Sequence, residues 1–128
     1  MNTKTVVKSS SAIEMLTGVA LILTPDLVAT ILLGVGLNGS GVAIARLTGI
    51  ALLCLAIACW PTDDVTAHPI RALFIYNLLA AVYLAYLRIG GGFVGAVLLW
   101  PVCVIHFLFA LLLGRATFRR GVPLGAKA

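Results

Sequence analysis

Long apolar runs broken by short clusters of Gly, Pro, Asn and Asp set the pattern of this chain, over residues 12–33, 42–60, 69–87 and 93–113. A helix rises about 1.5 Å per residue, so about 20 residues cross a hydrocarbon layer about 30 Å thick. The first run hides a boundary at Thr24-Pro25-Asp26. Thr suits an N-cap, Pro suits the first helical position, and a carboxylate in the first turn faces the positive end of the helix dipole. A single helix through this point would carry Asp26 towards mid-membrane, at a cost of about 3 kcal/mol. The spacing therefore predicts a first helix over residues 6–23 and a short helix over 25–33 lying in the outer interface. Three further helices follow over residues 42–60, 69–87 and 93–113, with a basic tail over 114–128. The expected fold is all-α: one domain over 1–128, a four-transmembrane-helix bundle with a short interfacial helix between helices 1 and 2.

The breaks between runs are turn chemistry. Residues 34–41 (GVGLNGSG) contain a literal G-x-G-x-x-G at Gly34, Gly36 and Gly39, but no strand precedes it and a span follows, which opposes a dinucleotide site. Asn38-Gly39-Ser40 is a formal glycosylation sequon, read here as part of the turn. Trp60-Pro61 ends the second span with an interfacial aromatic and a residue that cannot continue a helix. Pro69 is expected at the first position of the third span, and Gly90-Gly91-Gly92 in the following outer turn. Pro101 is expected to kink the last span.

Composition agrees with the spans. Of 128 residues 62% are hydrophobic and 10% charged, and the mean hydropathy is +1.15. A chain of this length has too much surface to hide so much apolar area in a soluble core. The net charge of +5 could suggest a nucleic-acid partner, but the positions of the charges refuse it. Seven of the nine Lys and Arg fall on one side: Lys4, Lys8, Arg71, Arg115, Arg119, Arg120 and Lys127. Arg88 lies at the opposite face and Arg46 inside a span. The positive-inside rule then places both termini in the cytoplasm. Lys4 and Lys8 before an apolar run resemble a secretory signal, but no small-x-small cleavage site follows, so the segment is expected to stay as a span. Cys54 and Cys59 stand about 140° apart around a helix, and with Cys103 they read as reduced core residues.

Ionisable groups inside a bilayer are the best functional signal such a chain offers. Counting along the spans puts Glu14 about 12 Å from the inner surface, with Asn77 and His106 near the same level. Arg46 falls about 10 Å below the outer surface, with a side chain long enough to reach towards that layer. Two readings follow. Glu14 and Arg46 form a buried ion pair completed by Asn77 and His106, or the layer binds a polar headgroup such as a quinone, or passes protons through Glu14 and His106.

Other patterns weigh less. Gly41, Ala45 and Gly49 form a small-xxx-small stripe that suits close helix packing, within the bundle or against a partner subunit. Asp63, Asp64 and His68 sit in one inner loop and read as solvation and capping, so no metal site is expected. His106 could offer one axial ligand to a haem or chlorophyll, but the other histidine, His68, is in a loop, and the sequence names no cofactor. No nucleophile and base are placed for hydrolysis, and the carboxylates are too few for a di-metal centre, so the chain is not expected to be an enzyme.

A first helix ending at Pro25-Asp26, then Arg46-Leu47-Thr48-Gly49, then Leu99-Trp100-Pro101, resembles small bacterial DoxX-like four-helix membrane proteins over most of the chain. The resemblance implies a bacterial inner-membrane location and, from some members of that group, a quinone-linked accessory role. Glu14 in a first helix is also similar to small multidrug transporters. The rest of their pattern is absent, and the charge bias opposes the dual topology found among them. The expected function is a small accessory subunit packing in lipid against other membrane subunits of a larger complex that handles electrons or quinone. The alternative is a small proton-coupled transporter using Glu14.

Overall fold

A computed structural model describes residues 2–62, 66–93 and 96–119, which form five helices: α1 (Thr3–Leu23), α2 (Pro25–Leu33), α3 (Gly39–Ala58), α4 (Ala67–Ile89) and α5 (Leu99–Arg119). No strand occurs among the described residues. The four long helices have 20 to 23 residues and are apolar enough to cross a membrane, with short α2 between the first two. The chain is thus an all-helical protein with four candidate membrane spans.

Local chemistry explains each boundary. The Asn2 side chain accepts a hydrogen bond from the Lys4 N–H at 3.1 Å, so α1 begins at Thr3 rather than at residue 6. Thr24 separates α1 from α2, but its hydroxyl does not cap α2 as expected. It donates to the Ala20 carbonyl at 3.1 Å and closes the last turn of α1 instead. Pro25 and Asp26 do occupy the first turn of α2. Asp26 Oδ1 also accepts from the Leu37 N–H at 2.7 Å, tying α2 to the connection that follows. Gly34 ends α2 at φ +75, a left-handed conformation that suits glycine. Asn38 caps α3 by accepting from the Gly41 N–H at 2.8 Å, which starts that helix at Gly39 rather than at residue 42.

Two proline expectations change. α4 begins at Ala67, so Pro69 is its third residue rather than its first. α5 begins at Leu99, six residues later than the apolar run suggested, which puts Pro101 in its first turn. A missing N–H there removes no intrahelical hydrogen bond, so the mid-helix kink has no cause. α5 also runs on to Arg119, making helical the first part of the segment expected as a tail. Asp63, Asp64 and residues 120–128 lie outside the described residues.

α1 packs along α3, and α4 along α5, while α1 also touches α4 and α5 and so joins the two pairs. At the end where α1 begins and α5 finishes, Val6, Val7, Cys59, Ile70, Leu73 and Leu113 form an apolar core. Lys8, Arg71, Arg115 and Arg119 belong to this basic end, with the Lys8 ammonium 6.0 Å from the centre of the Trp60 ring. Further along, α1 and α3 approach closely at Gly18 and Gly49. A Cβ added to either would lie 2.7 Å from the carbonyl oxygen of the other. In the small-residue stripe, then, Gly49 serves the chain's own bundle. The atoms nearest to a Cβ on Gly41 belong to Leu37 and Asn38 of its own turn, and Ala45 is half-buried.

Candidate functional site

The buried faces of three helices bring polar residues to one place. α1 buries Ser10, Ser11, Glu14 and Gly18, at the spacing of three and four residues that defines one helical stripe. α4 buries Ile70, Leu73, Asn77 and Ala81, and α5 buries Cys103, His106 and Ala110 by the same rule. Glu14 is 1% exposed, Asn77 0% and His106 9%.

Asn77 sits at the centre. Its amide nitrogen donates to Ser10 Oγ at 3.0 Å and to the Leu73 carbonyl at 2.8 Å. That orientation turns Oδ1 towards His106 Nδ1, 2.9 Å away. An amide oxygen can only accept, so Nδ1 of His106 carries the proton and donates. His106 Nδ1 also lies 3.9 Å from Glu14 Oε1, beyond hydrogen-bond reach but close enough for a charge on one group to be felt by the other. Tyr76 supplies the side chain that hydrogen-bonds Glu14, and its ring packs edge-on against His106 with centroids 5.8 Å apart. A chain of polar groups thus runs from α1 through α4 to α5 and back to α1. Beside it, the Ser11 hydroxyl donates to the Cys59 carbonyl at 3.3 Å, so the neighbouring serines of α1 face different helices.

Of the four polar residues singled out from the sequence, Glu14, Asn77 and His106 come together and Arg46 does not. Arg46 is exposed on α3, and among the described residues no ion pair joins it to Glu14. The physical reason is register. Ser11 meets Cys59 and Gly18 meets Gly49 in an antiparallel pair, so Arg46 lies beyond Gly18 along α1, about two helical turns from Glu14, and is exposed. Ser10, Ser11 and Tyr76 were missed as members of the cluster. Ser10 had a visible signal, since it precedes Glu14 by one helical turn.

The remaining candidates are dispersed. His68 is exposed in the first turn of α4, and Cys54 is exposed. Cys103 is buried and its thiol donates to the Ala81 carbonyl at 3.3 Å, holding α5 to α4. Among the described residues no three His, Cys, Asp or Glu side chains are grouped to hold a metal ion. Three surface cavities of about 540, 310 and 190 Å³ lie along α5, and none of them is lined by Glu14, Asn77 or His106. Comparison with protein-family models, curated proteins and solved structures gives no significant match for this chain.

Proposed function

We propose that this chain is a small, non-catalytic subunit of a membrane complex, and that its polar interior locks its own helices together. The supporting observation is the mutual satisfaction of the buried polar groups. Asn77 is bonded to Ser10, Leu73 and His106, and Glu14 is bonded to Tyr76. Among the described residues Arg88 Nε is the one buried side-chain nitrogen or oxygen without a hydrogen-bond partner. Partly satisfied polar networks are costly in a low-dielectric interior, whereas closed ones fix a unique packing. What such a chain offers its surroundings is apolar helix surface. In α3 only 17% of the most apolar 18-residue stretch is buried. The charge asymmetry supports cytoplasmic termini, and a bacterial inner-membrane location and a quinone-linked or electron-transfer partner rest on the DoxX-like resemblance alone.

A proton-coupled transporter is the second reading, favoured by one geometric fact. Glu14 and His106 are titratable groups on different helix pairs, 3.9 Å apart across the seam between them. Extraction in a mild detergent followed by mass spectrometry of the intact assembly separates the two. A subunit leaves the membrane with other proteins in fixed stoichiometry. A homo-oligomer free of other chains would favour the transporter.

A further inference from the structure

Arg115 and Arg119 lie one helical turn apart on α5, so both guanidiniums project from the same face at the basic end. Two cavities flank this ridge and share both arginines. One, of about 540 Å³, is a groove between α4 and α5 walled by Phe74 and Phe118, whose rings meet edge-on at 6.2 Å. Gly114 keeps its floor low, since a Cβ there would come within 3.0 Å of the Phe74 ring. The other, of about 190 Å³, opens between α5 and the start of α1, beside Thr3 and Val6. The first cavity is apolar apart from the arginines, and the second brings together a hydroxyl and the positive end of the α1 dipole. Among the described residues no carboxylate pairs with either guanidinium. The C-terminal end of α5 carries a partial charge of about −0.5, which two full positive charges outweigh.

We infer that this ridge and its two cavities bind one anionic phospholipid, with the phosphate held by Arg115, Arg119 and Thr3 and an acyl chain laid in the apolar groove along Leu111, Ala110 and the paired Phe74 and Phe118 rings. Charge complementarity selects the headgroup. The apolar groove beside it selects a membrane lipid over a soluble anion or an acidic protein segment. Arginine suits the task because its planar fork pairs with two phosphate oxygens at once. Basic pockets between spanning helices are a recurrent place for such headgroups. The site belongs to the chain itself and stands whether or not the subunit reading does.

Native mass spectrometry of the full chain released from micelles tests it. Phosphatidylglycerol and phosphatidylcholine of identical acyl chains are titrated separately against the wild type, Arg115→Gln with Arg119→Gln, and Lys8→Gln with Arg71→Gln. All four positions are exposed, so each double variant keeps the bundle. One retained phosphatidylglycerol per chain is expected, weakened about thirtyfold by the Arg115 and Arg119 changes and little altered by the other pair. A short-chain phosphatidylglycerol that cannot fill the groove is expected to bind less tightly. Equal retention of phosphatidylcholine, or equal weakening by both double variants, would overturn the site in favour of diffuse surface charge. So would an acidic protein that co-isolates through the two arginines while no lipid is retained.

Discussion

Two interfaces of α1 solve the problem of holding helices together in lipid by opposite means. Against α3, α1 uses Gly18 facing Gly49, where each backbone approaches so closely that a Cβ would lie 2.7 Å from the facing carbonyl oxygen. Against α4 and α5 it uses Ser10 and Glu14, joined to Asn77, His106 and Tyr76. The first contact is dispersion between small residues, the second hydrogen bonding among buried polar ones, and both are known sources of helix association in membranes. They differ in tolerance. A close backbone approach admits no added atom, whereas a polar contact tolerates any replacement that keeps a donor or acceptor in place.

The largest effect should come from the tight contact. Gly49→Leu forces α1 and α3 apart and should cost about 3 kcal/mol. Thermal unfolding in micelles would register this as a large loss, and replacing Gly41, whose neighbours lie in its own turn, should cost much less. Equal losses at the two positions would mean that the stripe acts through a surface other than α1.

Next in size is the centre of the polar seam. Asn77→Leu leaves the His106 N–H and the Ser10 hydroxyl without their partner and should cost about 2 kcal/mol. Ser10→Ala should lose much less, and the two changes combined should show coupling of about 0.6 to 1.7 kcal/mol in a double-mutant cycle. Strict additivity would separate Ser10 from the network. The smallest effect belongs to Glu14. Glu14→Gln keeps a carbonyl for Tyr76 and should cost within about 1 kcal/mol. Because Arg46 is exposed and apart from Glu14, Arg46→Leu should not rescue it, and the two changes should add within about 0.5 kcal/mol. A strong non-additive recovery in the double variant would restore the ion pair that the sequence suggested.

The contrast between the interfaces also separates what could be read in the sequence from what could not. Depth was legible. Helical rise and chain reversal at each turn put Glu14, Asn77 and His106 at one level, and the three meet. The pairing of Arg46 with Glu14 was not. The register of α1 against α3, set by Gly18 at Gly49 and Ser11 at Cys59, is a property of two helices together, and it leaves Arg46 exposed about two turns from Glu14. The small-residue stripe was read as a packing face, but only contact with Gly18 singles out Gly49 within it. The start of α5 was misplaced because residues 93–98 are mostly apolar and look like span, although that helix begins at Leu99. Tyr76 and Ser10 joined the site through a convergence of three helices, which no single helix carries in its own sequence.

The most direct test of a closed polar seam is proton flux in liposomes containing only this chain. With a pH gradient imposed and an internal pH-sensitive dye, vesicles carrying the wild type and those carrying Glu14→Gln should acidify at the same rate as empty vesicles. Acidification by the wild type that Glu14→Gln abolishes, with both proteins folded and inserted, would contradict the structural role given to the Glu14 and His106 pair and establish a proton path through it.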